Sequence, residues 1–156
     1  MRVGIGYDVH ALDRGRRLVL GGVEVPYERG LVGHSDADVV VHALVDALLG
    51  AFALGDIGTH FPDSDPRWKD ADSLGFLRAA VELVRARGGR LVNADVTVVA
   101  ERPRLAPHVR AMRETLAPAL GLDADSVSVK ATTPEGLGAL GQGAGIAALA
   151  VVCVDV

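Results

Sequence analysis

Three side chains that bind metal ions well are placed by two neighbouring elements near the start of the chain. Asp8 and His10 alternate at the end of the apolar, β-leaning run MRVGIGYDVH, so both leave a strand on the same face. His42 belongs to the helix predicted over 36–54, DADVVVHALVDALLGAFAL, where Asp38, His42 and Asp46 fall on one narrow stripe at about 100° per residue. Nearly every other position of that helix is apolar or small, so the stripe must face a site or a set of hydrogen-bonding partners. Asp8, His10 and His42 offer one oxygen and two nitrogens, a set suited to zinc with a fourth position open for catalysis. The competing reading is a satisfied core pair, Asp38 with His42. Spacing alone does not bring the strand and helix together, and both readings stand.

Two further segments have the chemistry to hold phosphate. In His34-Ser35-Asp36-Ala37-Asp38, Ser35 and Asp38 have capping-box spacing. The same helix start offers free N–H groups and a positive dipole end, with His34 beside it as a donor. Lys130-Ala131-Thr132-Thr133-Pro134-Glu135-Gly136 repeats the arrangement after a strand. Its hydroxyls, carboxylate and helix start fit a cap and a diphosphate–magnesium platform equally well. The run Gly141-Gln142-Gly143-Ala144-Gly145 precedes a strand instead of joining strand to helix, so it fails the test for a dinucleotide loop.

The elements that must position these groups are legible from pattern. Strands are predicted over 2–9, 16–26, 90–101, 126–131 and 146–155, and helices over 36–54, 73–87 and 107–120, with a short glycine-interrupted helix after a Thr-Pro-Glu turn. Helix 73–87 is amphipathic, with Leu74, Leu77, Val81 and Val84 on one stripe. Residues 55–72, GDIGTHFPDSDPRWKDAD, read as a long irregular loop of the kind that carries function. A hairpin-like pairing of the first two strands predicts an α+β fold with a mixed β-sheet.

At 156 residues the chain fits one domain, 1–156. Hydrophobic residues make up 49% although aromatics are only 4%, which implies apolar surface that meets another subunit. A net charge of −4 leaves no basic face, so nucleic acid is not an expected partner. The start lacks a signal-peptide pattern, and the longest apolar stretch is interrupted by His42 and Asp46, so the expectation is a cytoplasmic protein with no membrane partner. The single cysteine, Cys153, lies in IAALAVVCVDV, which reads as a strand buried on both faces and makes it a structural thiol.

GYDVH at 6–10, HSDADVVVHALVDALLGAFALGDIG at 34–58, HFPDSD at 60–65 and KATTPEGLG at 130–138 closely resemble, in order and spacing, the 2-C-methyl-D-erythritol 2,4-cyclodiphosphate synthase family. The resemblance spans essentially the whole chain. It implies an α+β subunit with helices on one face of the sheet, the sheets assembling around the axis of a homotrimer with active sites at subunit interfaces. It implies conversion of the diphosphocytidyl substrate 4-diphosphocytidyl-2-C-methyl-D-erythritol 2-phosphate to the cyclic diphosphate with release of CMP, in the non-mevalonate isoprenoid pathway.

On the same resemblance, Asp8, His10 and His42 hold Zn2+, and Glu135 lies by a second ion, Mg2+ or Mn2+, bound with the substrate diphosphate. His34 and Thr133 match the positions that stabilise the transition state, and Ser35 lies at the phosphate-binding helix start. Asp56, Ile57 and Gly58, with Phe61, Pro62, Asp63, Ser64 and Asp65, match the segment that holds the methylerythritol part. Ala100, Glu101, Arg102, Pro103, Arg104 and Leu105, with Ala131 and Thr132, match the cytidine site of the neighbouring subunit. Asp46 is expected behind the site, steadying His42 or the site's polar network. Many family members have lysine at the position of Arg104. Several bacterial relatives carry an aromatic residue, an arginine and a glutamate at Ala139, Gln142 and Ala144, where they line an axial cavity for isoprenoid diphosphate; that ligand is not expected here.

Two other function classes use the same residues. A zinc phosphohydrolase would share Asp8, His10 and His42 but direct an activated water at phosphorus. A non-catalytic trimeric module would bind metal or nucleotide with the polar clusters serving as caps and core pairs.

Overall fold

In β1 (Arg2–Arg14), Gly4, Gly6, Asp8 and His10 share one face, and Val3, Ile5, Tyr7 and Val9 share the other. The computed structural model, which describes residues 1–156, shows what the two glycines do. They let α1 (Val39–Ala51) lie directly on the strand: a Cβ at Gly4 would stand 1.8 Å from the Ala47 carbonyl oxygen, and one at Gly6 1.9 Å from that of Ala43. This close approach carries His42 to the end of β1 where Asp8 and His10 emerge.

β1 pairs antiparallel with β7 (Gly145–Asp155), Asp8 opposite Ala148 and His10 opposite Ile146, and on its other side with β4 (Arg29–Leu31). β7 pairs antiparallel with β5 (Arg90–Val99), which runs parallel to β6 (Val127–Thr132). The five-stranded order is β4-β1-β7-β5-β6, a mixed sheet as expected. α1, α3 (Ser73–Ala86) and α4 (Val109–Leu120) pack on one face, and α1 is buried nearly all round between sheet and α3. Its nearly all-apolar surface follows from that position. The fold is a single α+β domain.

The expected hairpin of the first two strands is not formed. Residues 16–26 split into β2 (Leu18–Leu20) and β3 (Val23–Val25), which pair only with each other. The cause is local: Gly21 and Gly22, both at positive φ (59° and 73°), make a two-residue turn that folds the segment on itself. β4 falls in a stretch the pattern did not mark as a strand.

The helix predicted from 36 begins at Val39, because Ala37 sits at φ 57° and Asp38 is the cap. Asp38 accepts the N–H groups of Val40 and Val41 at 3.1 and 3.2 Å and those of Gly21 and Gly22 at 2.9 and 2.7 Å. It therefore ties α1 to the β2–β3 turn and is no partner of His42, which removes the core-pair reading. Ser35 is not the cap; it lies before the helix and accepts the Ala37 N–H at 3.2 Å. The N–H groups of Val40 and Val41 go to Asp38, so the cap of α1 is Asp38 and not Ser35.

The loop over 55–72 is less irregular than its composition implies. It contains α2 (Ile57–His60), capped by Asp56, and a 3-10 turn at Pro66–Trp68, capped by Asp65. The expected capping box at Thr132–Glu135 is also absent. Glu135 takes φ 55°, the chain turns, and the short helix α5 (Gly138–Gly141) starts only after it. β7 is buried on one face only: Leu149 and Val151 are exposed and Cys153 is half-buried, on the side shared with Val3, Ile5, Tyr7 and Val9 of β1. No helix is long and apolar enough to cross a membrane.

Candidate active site

At the end of β1, Asp8 Oδ2 stands 3.0 Å from His10 Nε2 and 3.0 Å from His42 Nδ1. One ligand atom from each of the three lies within 4.8 Å of the others, which makes them a group able to hold a metal ion. Each imidazole is held from behind. His10 Nδ1 donates to the Val32 carbonyl at 2.6 Å, which leaves Nε2 free to act as a ligand. His42 Nε2 lies 2.9 Å from Ser73 Oγ and 3.2 Å from Ser35 Oγ. Both remaining nitrogens thus converge on one carboxylate oxygen, a donor set that could hold a metal ion and whose types and number suit zinc.

The electrostatics agree. Burial pushes the Asp8 carboxyl up, but the hydrogen bonds and charges of His10 and His42 together outweigh it and hold the group well below the usual carboxylate range. The Asp8 carboxylate raises the His10 imidazole above its ordinary value, against the opposing effect of burial.

The triad opens on a cleft of about 420 Å3. Of the residues expected there, His34, Ser35, Ile57, Gly58, Phe61, Pro62, Asp63 and Ser64 line it. Phe61 stacks on Phe76 with ring centroids 4.5 Å apart, and Trp68 meets both edge-on, so one wall is an aromatic cluster. Asp56 and Asp65 are not lining residues. Asp56 accepts the Thr59 N–H and hydroxyl, and Asp65 pairs with Arg67. They shape the wall from behind, while the Asp65 carbonyl lies 3.3 Å from His34 Nε2.

Asp46 makes no hydrogen bond to His42 and serves the polar network of the cleft wall. Its Oδ1 accepts the Ile57 N–H at 2.7 Å and so fixes the start of α2 against α1. Burial raises the Asp46 carboxyl against the pull of that N–H, and the charges of Asp56 and Asp8 add to the rise. The group behind His42 is Ser73, at the first position of α3, backed by Asp36. In sequence, Asp72 and Ser73 look like an ordinary helix start, and nothing in their spacing points to His42 thirty-one residues earlier.

A second, smaller cleft of about 160 Å3 lies at the same end of the sheet, lined by Ala100, Glu101, Pro103, Arg104, Leu105, Ala131, Thr132 and Thr133. Arg102 is not part of its wall. Thr133 donates its hydroxyl to Glu135 Oε1 at 3.0 Å, and Glu101 accepts the Gly136 N–H at 3.1 Å, which pins the 133–136 turn. β6 and β1 are three strand spacings apart, about 14 Å, so a single subunit keeps this cleft separate from the triad. Glu135 is not one of the clustered ligating side chains.

Comparison with known proteins agrees with the motif resemblance. Curated relatives called 2-C-methyl-D-erythritol 2,4-cyclodiphosphate synthase include one from Gloeobacter violaceus, 61% identical over 155 residues (99% of this chain, 95% of the relative), and one from Moorella thermoacetica, 63% identical over 152 residues (97% and 93%). A solved structure of a synthase of that name in its CDP-bound form superposes with a TM-score of 0.91 at 44% identity, covering 99% of this chain and all of the other. The bifunctional IspDF from Campylobacter jejuni superposes with a TM-score of 0.94 at 43% identity, covering 98% of this chain and 42% of the larger protein. With the YgbB family model matched over residues 1–155 and relatives this similar along nearly the full length, the chain belongs to the YgbB family.

Proposed function

We propose that the protein is a cytoplasmic 2-C-methyl-D-erythritol 2,4-cyclodiphosphate synthase, a phosphorus–oxygen lyase of the non-mevalonate isoprenoid pathway that works as a homotrimer. The observation that carries this reading is the Asp8–His10–His42 triad at the mouth of the larger cleft, in a chain so similar to curated synthases. In the reaction, an oxygen of the substrate's own 2-phosphate attacks the β-phosphorus. A new P–O bond closes the ring as the bond from that phosphorus to the bridging oxygen breaks, and CMP leaves with the bridging oxygen. No protein nucleophile and no water enter, so the chain's task is to fold the substrate and balance its charge.

Asp8, His10 and His42 are the residues that would hold Zn2+, and Glu135, with the substrate's phosphate oxygens, would hold Mg2+ or Mn2+. Bound there, the ions supply positive charge that polarises phosphate oxygens. His34 would donate to a phosphate from the cleft wall, with Ser35 beside it, and Thr133 would donate from the second cleft by exchanging its hydrogen bond with Glu135 for one to phosphate. Ile57, Gly58 and Phe61–Ser64 would enclose the methylerythritol part, with Asp56, Asp65 and Asp46 fixing that wall. Ala100–Leu105, Ala131 and Thr132 would hold cytidine, Arg104 supplying charge for a phosphate.

Two features support assembly around a common axis. The outer face of β1 and β7 exposes Val3, Ile5, Tyr7, Val9, Leu149 and Val151, a continuous apolar strip unlike the surface of a monomer. The two clefts, separate within one subunit, would meet if a neighbour's 100–105 and 131–133 segments faced the triad.

The test is phosphorus NMR of 4-diphosphocytidyl-2-C-methyl-D-erythritol 2-phosphate incubated with protein, Zn2+ and Mg2+. Joint appearance of CMP and a cyclic diphosphate is expected. Intact substrate, or free phosphate and linear products, would overturn the assignment. His42→Ala is expected to abolish turnover while sedimentation still reports a trimer.

A further inference from the structure

Residues 32–36, between β4 and α1, belong to no helix or strand, yet Val32, Gly33, His34 and Ser35 of this segment all line the larger cleft. Ser35 is shared with a third cleft of about 310 Å3, which also contains Arg16 and Arg17. From there Arg16 Nε donates to the Leu31 carbonyl at 2.6 Å and Nη2 donates to the Ser35 carbonyl at 3.0 Å. One guanidinium thus spans both ends of the 31–35 segment with charge-assisted hydrogen bonds. The approach depends on Gly30. A Cβ there would stand 2.2 Å from the Arg17 carbonyl oxygen and 2.5 Å from that of Arg16, so glycine lets β4 lie directly against this backbone. Backbone contacts complete the hold: the Asp70 N–H donates to the His34 carbonyl at 2.8 Å and the Asp36 N–H to the Ala71 carbonyl at 3.1 Å. Among side chains, His10 holds Val32 from within the site, and Arg16 holds Leu31 and Ser35 from outside it.

We propose that Arg16 is a positioning residue of the active site: from the third cleft it braces the 31–35 segment, so that His34 and Ser35 keep their places on the wall that faces the substrate phosphates. The inference rests on the synthase reading for what His34 and Ser35 do, but the brace itself can be read without any turnover. Arg16 does not line the larger cleft, so its effect passes through the backbone of Leu31 and Ser35. Without the guanidinium both carbonyls face the third cleft, where water can replace the lost donors. The fold then loses little, whereas the segment loses the fixed donor pair that sets its position, and a small misplacement of His34 is costly to the chemical step. Arg17 is the contrast, because its side chain pairs with Glu24 on the surface.

The experiment compares Arg16→Ala, Arg16→Met, which keeps an apolar stem but no donor, and Arg17→Ala as the control, all in the full chain. Steady-state turnover of 4-diphosphocytidyl-2-C-methyl-D-erythritol 2-phosphate with Zn2+ and Mg2+ is one readout, and backbone amide hydrogen exchange is the other. Both Arg16 variants are expected to lower kcat by about 10- to 100-fold with a smaller change in KM. Exchange of the Asp70 amide, the donor to His34, should quicken by about 10-fold while amides inside α1 keep the wild-type rate. Millimolar ethylguanidinium should restore kcat several-fold in Arg16→Ala, where the missing side chain leaves room for it, and not in Arg16→Met; sodium chloride at the same ionic strength should restore neither. Arg17→Ala should behave as wild type. Wild-type kcat and Asp70 exchange in Arg16→Met, or a loss in Arg16→Ala that ethylguanidinium leaves unchanged, would overturn the brace. If the wild-type protein forms no cyclic diphosphate, the synthase reading falls, and Asp70 exchange in Arg16→Met alone decides the brace.

Discussion

Replacing Gly6 by alanine is the sharpest test of how the fold makes the site. The added Cβ would stand 1.9 Å from the Ala43 carbonyl oxygen, and Cβ contacts under 3.0 Å are essentially never seen. Neither partner can yield locally, because both are backbone inside regular elements, so α1 must retreat by at least about 1 Å. Ala43 adjoins His42, and the retreat carries the imidazole away from Asp8. The 3.0 Å separation of His42 Nδ1 and Asp8 Oδ2 then opens toward 4 Å, whereas metal–ligand distances tolerate only about 0.2 Å. We expect Gly6→Ala to cost about 3 kcal/mol, the upper end for overpacking, and metal affinity to fall by more than about 100-fold.

Thermal unfolding of the metal-free protein reads the first term and chelator competition the second. Gly75→Ala is the control. That glycine is exposed in α3 with nothing within 4 Å of the added atom, and the change should stabilise the protein by about 0.5–1 kcal/mol with affinity unchanged. Wild-type metal affinity in Gly6→Ala would refute the close-approach argument.

Asp38→Ala should cost about 2–5 kcal/mol in thermal or denaturant unfolding, since it removes a helix cap and leaves the Gly21 and Gly22 N–H groups unpaired. Asp46→Ala releases the Ile57 N–H and loosens the start of α2; steady-state kinetics should show KM rising more than kcat falls. The triad also sets a pH signature in the metal-free protein. His10 is raised above 6.5, so its ionic contribution is full below that value and lost as pH climbs through the raised one. Asp8 is lowered, so its contribution is present above 3.8 and lost as pH falls. Melting temperature should therefore gain most from the triad between those two values. Zn2+ must displace the His10 proton, so titrations should show affinity rising by up to about tenfold per pH unit while pH is below the raised His10 value and levelling off above it.

The alternation of Asp8 and His10 and the apolar surface of 39–51, broken only by His42 and Asp46, were enough to predict a strand face and a buried helix and to offer a three-ligand site beside a core-pair reading, because periodicity records which side of an element is covered. Helix α3 followed in the same way, whereas the mixed sheet was expected from a first hairpin that does not form and the cleft-wall residues came from the motif resemblance. The sequence did not carry the partners of its polar groups. Asp38 has the spacing to pair with His42, yet it caps its own helix and holds the Gly21-Gly22 turn. Asp46 shares the His42 stripe but reaches forward to Ile57. The support of His42 comes from Asp36 and Ser73, which belong to no common local pattern. A helix wheel gives direction around one axis, whereas hydrogen-bond partnership depends on which element is packed opposite and at what height. Here that was decided by the two glycines that let α1 rest on β1, and by the packing of α3 that brings Ser73 behind His42.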